Sequence, residues 1–330
     1  MAGPMREIQL IGRPDGVPTA DLFESVQSPT LEPRPGTVLV ENVLLSVDPY
    51  MRQLMDADEW WPLNTPGEGR ALGRVLQSET PAYAVGDIVF HRQGWRTHAV
   101  VTPDESRRID EAPGVPLSAH LGILGGTGLS AYVGLKRILN LQPGETLLVS
   151  AAAGGVGTAA ARIAKLLGAG RVIGTTGSDE KAKHLVAEVG FDAAINYRRG
   201  DLVEQLAAAA PDGVDAYLDN VGGEHLAAAI DVLKQNGRIA WCGAVSTYNH
   251  QADVAPRNLF DIVDKELRLE GFLVRNHLDL RPELIDFLTP HLRSGAVTSD
   301  ETVVEGFEHL VDAFLAMLRG ENVGKMLVRL

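Results

Sequence analysis

Cysteine is almost absent from this chain: its 330 residues hold a single one, Cys242. One thiol cannot close an intramolecular disulfide, and it cannot build a multi-cysteine metal site within one chain. A reducing, cytoplasmic setting is the expectation. Also missing is any apolar run near the ~18 residues that a membrane helix needs. Met1 to Leu10 shows none of the basic patch, apolar core and cleavage site of a secretory signal. No membrane partner is therefore expected. Basic residues are in deficit, with 30 Lys and Arg against 43 Asp and Glu and a net charge of −13. General affinity for nucleic acid rests on Lys and Arg patches against phosphate, so it is not expected either. A local basic pocket for one phosphate group stays compatible with that balance. There is no internal repeat, no low-complexity linker, and no G-x-S-x-G elbow or other hydrolase motif.

What is present first is length, beyond the roughly 100–200 residues of one domain, which sets two domains as the expectation. Up to about residue 120 the pattern is β-rich. Thr37 to Val47 is a long β-branched apolar stretch, and Ala84 to His91 carries a Gly86-Asp87 turn into a second. Pro and Gly punctuate the intervals, as in Pro33-Arg34-Pro35-Gly36, and many short strands with turn signals predict a small barrel. Helical spacing then appears over Thr127 to Leu139. Beyond it, strands and helices alternate: strand 146–150, helix 156–167 closed by Gly168, strand 171–174, helix 179–189 closed by Gly190 and strand 193–196. A helix near 201–209, strand 214–219, helix 224–234, an Asn236-Gly237 turn, strand 238–242 and strand 267–273 follow. Such alternation predicts a parallel sheet with helices on both faces. The segment Glu305 to Leu330 reads as a helix and then a strand at 324–328, which could finish that sheet or return to the barrel.

The first strand of the alternating part runs into Ala151-Ala152-Ala153-Gly154-Gly155-Val156-Gly157 and then directly into a helix. Set on the G-x-G-x-x-G fingerprint, the glycine positions are Ala152, Gly154 and Gly157, so the first is substituted. The βαβ setting supports dinucleotide binding all the same. Gly154 lets backbone approach a pyrophosphate, Gly157 lets helix and strand pack closely, and the helix N-terminus offers free N–H groups. An NAD site places an acid on the adenosine ribose about 20 residues further on. Here Gly174-Thr175-Thr176-Gly177-Ser178 carries none. Asp179 and Glu180 fall in the next helix with Ser178 as its N-cap, and Lys181 stands in its first turn, able to reach back to a 2′-phosphate. NADP(H) is the expected cofactor.

Together these residues resemble the zinc-independent medium-chain dehydrogenase/reductases, in the leukotriene B4 12-hydroxydehydrogenase/prostaglandin reductase group of NADPH-dependent alkenal and enone reductases. The matching pieces span the chain: Val47-Asp48-Pro49-Tyr50-Met51-Arg52, Gly128-Leu129-Ser130-Ala131-Tyr132, Ala151 to Gly157, Gly177 to Lys181, Asn196-Tyr197 and Asp219-Asn220-Val221-Gly222-Gly223. They continue in Cys242 to Asn249 and Gly320 to Lys325. The resemblance implies a Rossmann domain over 123–299 and a GroES-like, barrel-type catalytic domain over 1–122 and 300–330, assembled as a homodimer. It further implies that Gly154, Gly155, Val156 and Gly157 hold the pyrophosphate. Lys181 and Tyr197, with Ser178 nearby, would hold the 2′-phosphate end. Asn220, the run Cys242, Gly243, Ala244, Val245, Ser246, Thr247 and Tyr248, and also Asn322 would line the cofactor. Phe272, Leu273 and Val274 would flank the nicotinamide, and Tyr50 would stand beside nicotinamide and substrate.

Zinc-dependent relatives need a catalytic Cys–His site and a four-cysteine structural site. No cysteine precedes Cys242, and His91, His98 and His120 lack ligand spacing, so no metal is expected. The implied reaction is hydride addition to the β-carbon of a small hydrophobic enal or enone. The developing enolate needs a hydrogen-bond donor and the α-carbon a proton, and Tyr50 is the candidate side chain. Many members carry a tyrosine for protonation where this chain has Asp264. An aspartate is ionised near neutral pH unless buried, so the resemblance leaves the proton donor open. Quinone reduction, or a low-turnover NADPH-binding structural or regulatory role, would use the same cofactor site. Adjacent Trp60 and Trp61 fit either a pocket wall or ordinary packing.

Overall fold

The structure is a computed structural model and describes residues 5–27, 29, 31–248 and 256–330. The expectations for Met1 to Pro4 and for Asn249 lie outside those residues. The chain divides into two compact units, one made of the residues up to Leu121 with 302–321 and 326–330, the other of 122–301 with 322–325. No helix among the described residues is long and apolar enough to cross a membrane.

In the first unit the strands are β1 (Arg6–Leu10), β2 (Phe23–Gln27), β3 (Val38–Ser46), β4 (Thr65–Pro66), β5 (Ala71–Ser78), β6 (Ile88–His91), β7 (His98–Val101) and β8 (Arg107–Arg108), with a short helix α1 (Met51–Leu54) after β3. Most of β3 is buried on both faces, which is why its sequence runs apolar instead of alternating. Val38 and Val40 pack with Val75 and Val89 in one cluster, and Leu44 with Leu72 and Ile88 in another. A third cluster centres on aromatic rings: Trp95 stacks on Phe23 and meets Trp61 and Phe314 edge to face. Trp61 is therefore core, 1% exposed, while Trp60 is 53% exposed. Gly67 is required beneath them, because a Cβ there would lie 2.6 Å from the Trp61 ring.

The second unit begins with α2 (Gly126–Tyr132), which continues as a π-helical stretch over 133–138. Then come β9 (Thr146–Val149), α3 (Gly155–Leu166), β10 (Arg171–Thr176), α4 (Asp179–His184), β11 (Ala193–Asn196), α5 (Leu202–Ala209), β12 (Val214–Asp219), α6 (Gly223–Val232), β13 (Leu233–Trp241), α7 (Asp261–Asp264), β14 (Arg268–Gly271) and α8 (Arg281–Arg293). The six strands pair in parallel in the order β11-β10-β9-β12-β13-β14. This is the doubly wound order, and its direction reverses between β9 and β12, where such folds bind ligands beyond the strand ends. Helix α6 stops at Val232, short of the expected 234, and Leu233 already pairs with Val214. The Asn236-Gly237 turn sits inside β13 as an irregularity, with Asn236 at φ 61 and pairing resumed at Arg238.

The chain ends with β15 (Glu301–Glu305), α9 (Leu310–Leu318) and β16 (Lys325–Arg329). β16 pairs antiparallel with β3, so the last strand returns to the barrel-type sheet, whose order is β15-β16-β3-β5-β6-β8. The unit bounds differ from the expected ones in three places: residues 122, 300–301 and 322–325 all belong to the second unit. The Gly324 N–H donates to the Ala153 carbonyl at 2.8 Å and Gly324 bridges Gly154 in parallel. Only glycine fits there, since φ is +67 and a Cβ would stand 1.9 Å from the Asp300 carbonyl oxygen.

Candidate functional site

The turn after β9 explains why alanine is tolerated at the first fingerprint position. The left-handed conformation falls on Ala151, at φ 46, and not on Ala152. Its strain is roughly 1–2 kcal/mol. At Gly157 a Cβ would lie 2.5 Å from the Ala152 carbonyl oxygen, so that glycine sets the approach of α3 to the turn. Gly155 is also crowded, its Cβ position 3.1 Å from the Thr127 methyl. At Gly154 the Cβ position meets only the Ala151 carbonyl oxygen, at 3.3 Å, and is otherwise open. No side chain caps the N-terminus of α3. An open backbone face at Gly154 beneath an uncapped twelve-residue helix suits a pyrophosphate.

Residues expected at the adenosine end come together at the carboxyl ends of β10 and β11. The Lys181 N–H donates to Ser178 Oγ at 3.2 Å, and Lys181 Nζ donates to the Asn322 carbonyl at 2.6 Å. Lys181 is thereby joined to the C-terminal segment that lies along the glycine turn. The Tyr197 hydroxyl stands 3.3 Å from the Cβ position of Gly177, and its ring meets His225 edge to face. Hydrogen bonds from Arg199 and then Asn196 hold the Asp179 carboxyl below the ordinary carboxylate range.

At the end of β12, Asp219 is fully buried and anchors the following turn. Its Oδ1 accepts from Ser150 Oγ at 3.0 Å, the Tyr217 hydroxyl at 2.7 Å, and the N–H groups of Val221 and Gly222 at 2.9 Å each. Asn220 donates from Nδ2 to the Ser150 carbonyl at 2.8 Å. The N–H groups of Cys242 and Gly243 reach the Asp219 carbonyl, and those of Val245 and Ser246 reach Asn220 and Val221. Ser246 Oγ donates to the Val221 carbonyl and Thr247 Oγ1 to that of Ala244. The Tyr248 hydroxyl lies 3.4 Å from the Cβ position of Gly243. Burial, then the charge of Asp219, pushes the Cys242 thiol up to about 12, so it is no nucleophile at neutral pH. The Phe272 N–H points at the Trp241 carbonyl, Leu273 is 54% exposed, and Val274 opens a short 3-10 turn. Ser150, Asp219 and Gly324 are not among the site residues expected from the sequence, because Ser150 meets Asp219, and Gly324 meets Ala153, only across long stretches of chain.

In the first unit Tyr50 precedes α1, and its hydroxyl donates to Glu68 Oε1 at 3.1 Å. The same oxygen accepts from Arg92 at 2.7 Å. The Arg70 guanidinium lies 5.2 Å over the Tyr50 ring and pairs with Asp48 at 3.0 Å. Burial raises the Tyr50 phenol well above its ordinary value, with Arg70 opposing, so it stays protonated near neutral pH. Asp264 lies exposed at the end of α7. Among the described residues no group of three or more His, Cys, Asp or Glu is arranged to hold a metal ion.

A doubly wound nucleotide-binding unit, an uncapped glycine turn and a separate barrel-type unit define a medium-chain dehydrogenase/reductase. Comparison with known proteins agrees. The family described as "Zinc-binding dehydrogenase" matches residues 155–289, and "N-terminal domain of oxidoreductase" matches 6–109. Prostaglandin reductase 1 of Bos taurus is 42% identical over 321 residues, covering 95% of each chain. The 2-alkenal reductase (NADP(+)-dependent) of Nicotiana tabacum is 38% identical over 297 residues, 88% of this chain and 86% of that one. The crystal structure of CurA in complex with NADPH from Vibrio vulnificus superposes with a TM-score of 0.90 at 34% identity, over 98% of both chains. The chain belongs to the zinc-independent medium-chain dehydrogenase/reductases, in the group of alkenal and enone reductases.

Proposed function

We propose that the protein uses NADPH to reduce the carbon–carbon double bond of small hydrophobic α,β-unsaturated aldehydes and ketones. The observation that carries this reading is near full-length similarity to a 2-alkenal reductase, joined to a β10 end that carries no acid and is followed by Lys181 in α4. NADPH, when bound, supplies the hydride. Backbone N–H groups of Gly154 to Gly157 receive the pyrophosphate, and Ser178, Lys181 and Tyr197 receive the 2′-phosphate end. Asn220, Cys242 to Tyr248, Phe272 to Val274 and Asn322 complete the cofactor's surroundings in this reading.

Tyr50 is proposed to orient the substrate carbonyl. Its one hydroxyl proton is directed at Glu68, so a developing enolate oxygen competes with that carboxylate for it. A phenol held protonated by burial acts as a hydrogen-bond donor and not as a base. A homodimer is part of the same reading. The test is NADPH consumption across a simple enone, a saturated aldehyde and a benzoquinone. Turnover of the enone with the saturated aldehyde inert is expected; turnover confined to the quinone would overturn the assignment.

A further inference from the structure

We propose that Arg198 is a specificity-determining residue of the cofactor site, its guanidinium taking the adenosine 2′-phosphate together with Lys181 and Tyr197. The inference rests on the NADPH reading above and adds a residue that its sequence pattern did not single out. Two arginines follow Tyr197, and the structure gives them different work. Arg199 reaches both carboxylate oxygens of Asp179, one from Nε at 3.3 Å and the other from Nη2. Asn196 Nδ2 adds a third hydrogen bond to that carboxylate at 2.7 Å. The acid nearest the acid-free strand end is thus turned aside and neutralised.

Arg198 lies instead against Gly177 and Tyr197. Its Cζ and Nε lie 3.5 Å from the Cβ position of Gly177, beside the Tyr197 hydroxyl at 3.3 Å. Its guanidinium stands 5.6 Å from the centre of the Tyr197 ring. The Arg198 N–H is fixed on Asn196 Oδ1 at 3.1 Å, which sets where the side chain starts. Among the described residues no carboxylate pairs with this guanidinium, in a chain whose net charge is −13. Gly177 contributes no side chain of its own against the guanidinium. A planar fork in such a position takes two phosphate oxygens at once, whereas an ammonium acts as a point charge. A ribose hydroxyl without phosphate offers it nothing comparable.

The experiment measures binding of adenosine 2′,5′-bisphosphate and of adenosine 5′-monophosphate to the full-length protein by calorimetry. Neither probe carries a nicotinamide, so the result does not depend on turnover. Arg198→Ala is expected to weaken the bisphosphate about tenfold or more and the monophosphate less than about twofold. Arg198→Lys should recover part of the loss. Equal weakening of both probes, or an unchanged bisphosphate affinity, would overturn the role of Arg198. A wild-type protein that does not prefer the bisphosphate would overturn the NADPH reading itself, and this inference with it.

Discussion

Alanine at Gly154 and alanine at Gly157 should damage the protein in opposite ways, although the two glycines are three residues apart. At Gly157 the new Cβ would sit 2.5 Å from the Ala152 carbonyl oxygen and 2.6 Å from its carbonyl carbon and Cα. These are backbone atoms at the root of the turn and cannot rotate away, so α3 must shift. Overpacking of this kind costs about 1–3 kcal/mol, which for a domain of this size lowers the melting temperature by about 2–12 °C. At Gly154 φ is −84, where alanine is comfortable, and the closest atom stands at 3.3 Å. The structural cost there is about 1 kcal/mol or less. Its methyl group, however, occupies the face that a pyrophosphate must approach. Loss of one backbone hydrogen bond to a charged group costs about 1.5–3 kcal/mol, or roughly ten- to a hundredfold in affinity. Thermal melting and NADPH titration on both variants make the comparison. Gly154→Ala should melt near the wild type and bind NADPH weakly, and Gly157→Ala should melt early. A Gly154→Ala protein with wild-type NADPH affinity would refute the placement of the pyrophosphate.

Tyr50→Phe, which removes one hydrogen bond to a developing charge, should lower kcat/KM for an enone about tenfold to a hundredfold with NADPH affinity unchanged; unaltered kcat/KM would remove Tyr50 from the reaction. Glu68→Gln keeps a partner for the phenol but removes the charge that competes for its proton. A severalfold rise in kcat is expected, and a fall as deep as that of Tyr50→Phe would show that the carboxylate itself is needed. Cys242 should be alkylated by iodoacetamide only slowly near neutral pH, with a rate that keeps rising past the ordinary thiol range because its folded value lies at about 12. A plateau at about 8.5, the value of a free thiol, would contradict the burial argument.

Local pattern carried the doubly wound sheet far. Apolar stripes with the closing glycines Gly168 and Gly190 bound the helices, and the glycine turn could be read because strand, turn and helix are contiguous. Periodicity left the destination of β16 open, since Lys325–Arg329 would suit either sheet and only pairing with β3 decides. The return of residues 322–325 to the glycine turn was also hidden. It depends on Gly324 fitting against Asp300 and on the Lys181 contact with Asn322, both long-range. Of the proposed 2′-phosphate residues, Lys181 can be read from the missing acid, but Arg198 cannot, because nothing local separates it from Arg199. The hold of Glu68 on Tyr50 reaches across α1, the loop after it and β4, and no motif marks it.

The most direct test of enone reduction is to follow the hydrogen. NADPH carrying deuterium at the transferring C4 position is supplied with a simple enone, and the product is examined by NMR. The proposed reaction gives a saturated ketone with deuterium on the β-carbon and a solvent-derived hydrogen on the α-carbon. Deuterium on the carbonyl carbon of an allylic alcohol, or a reduced product without label, would contradict it.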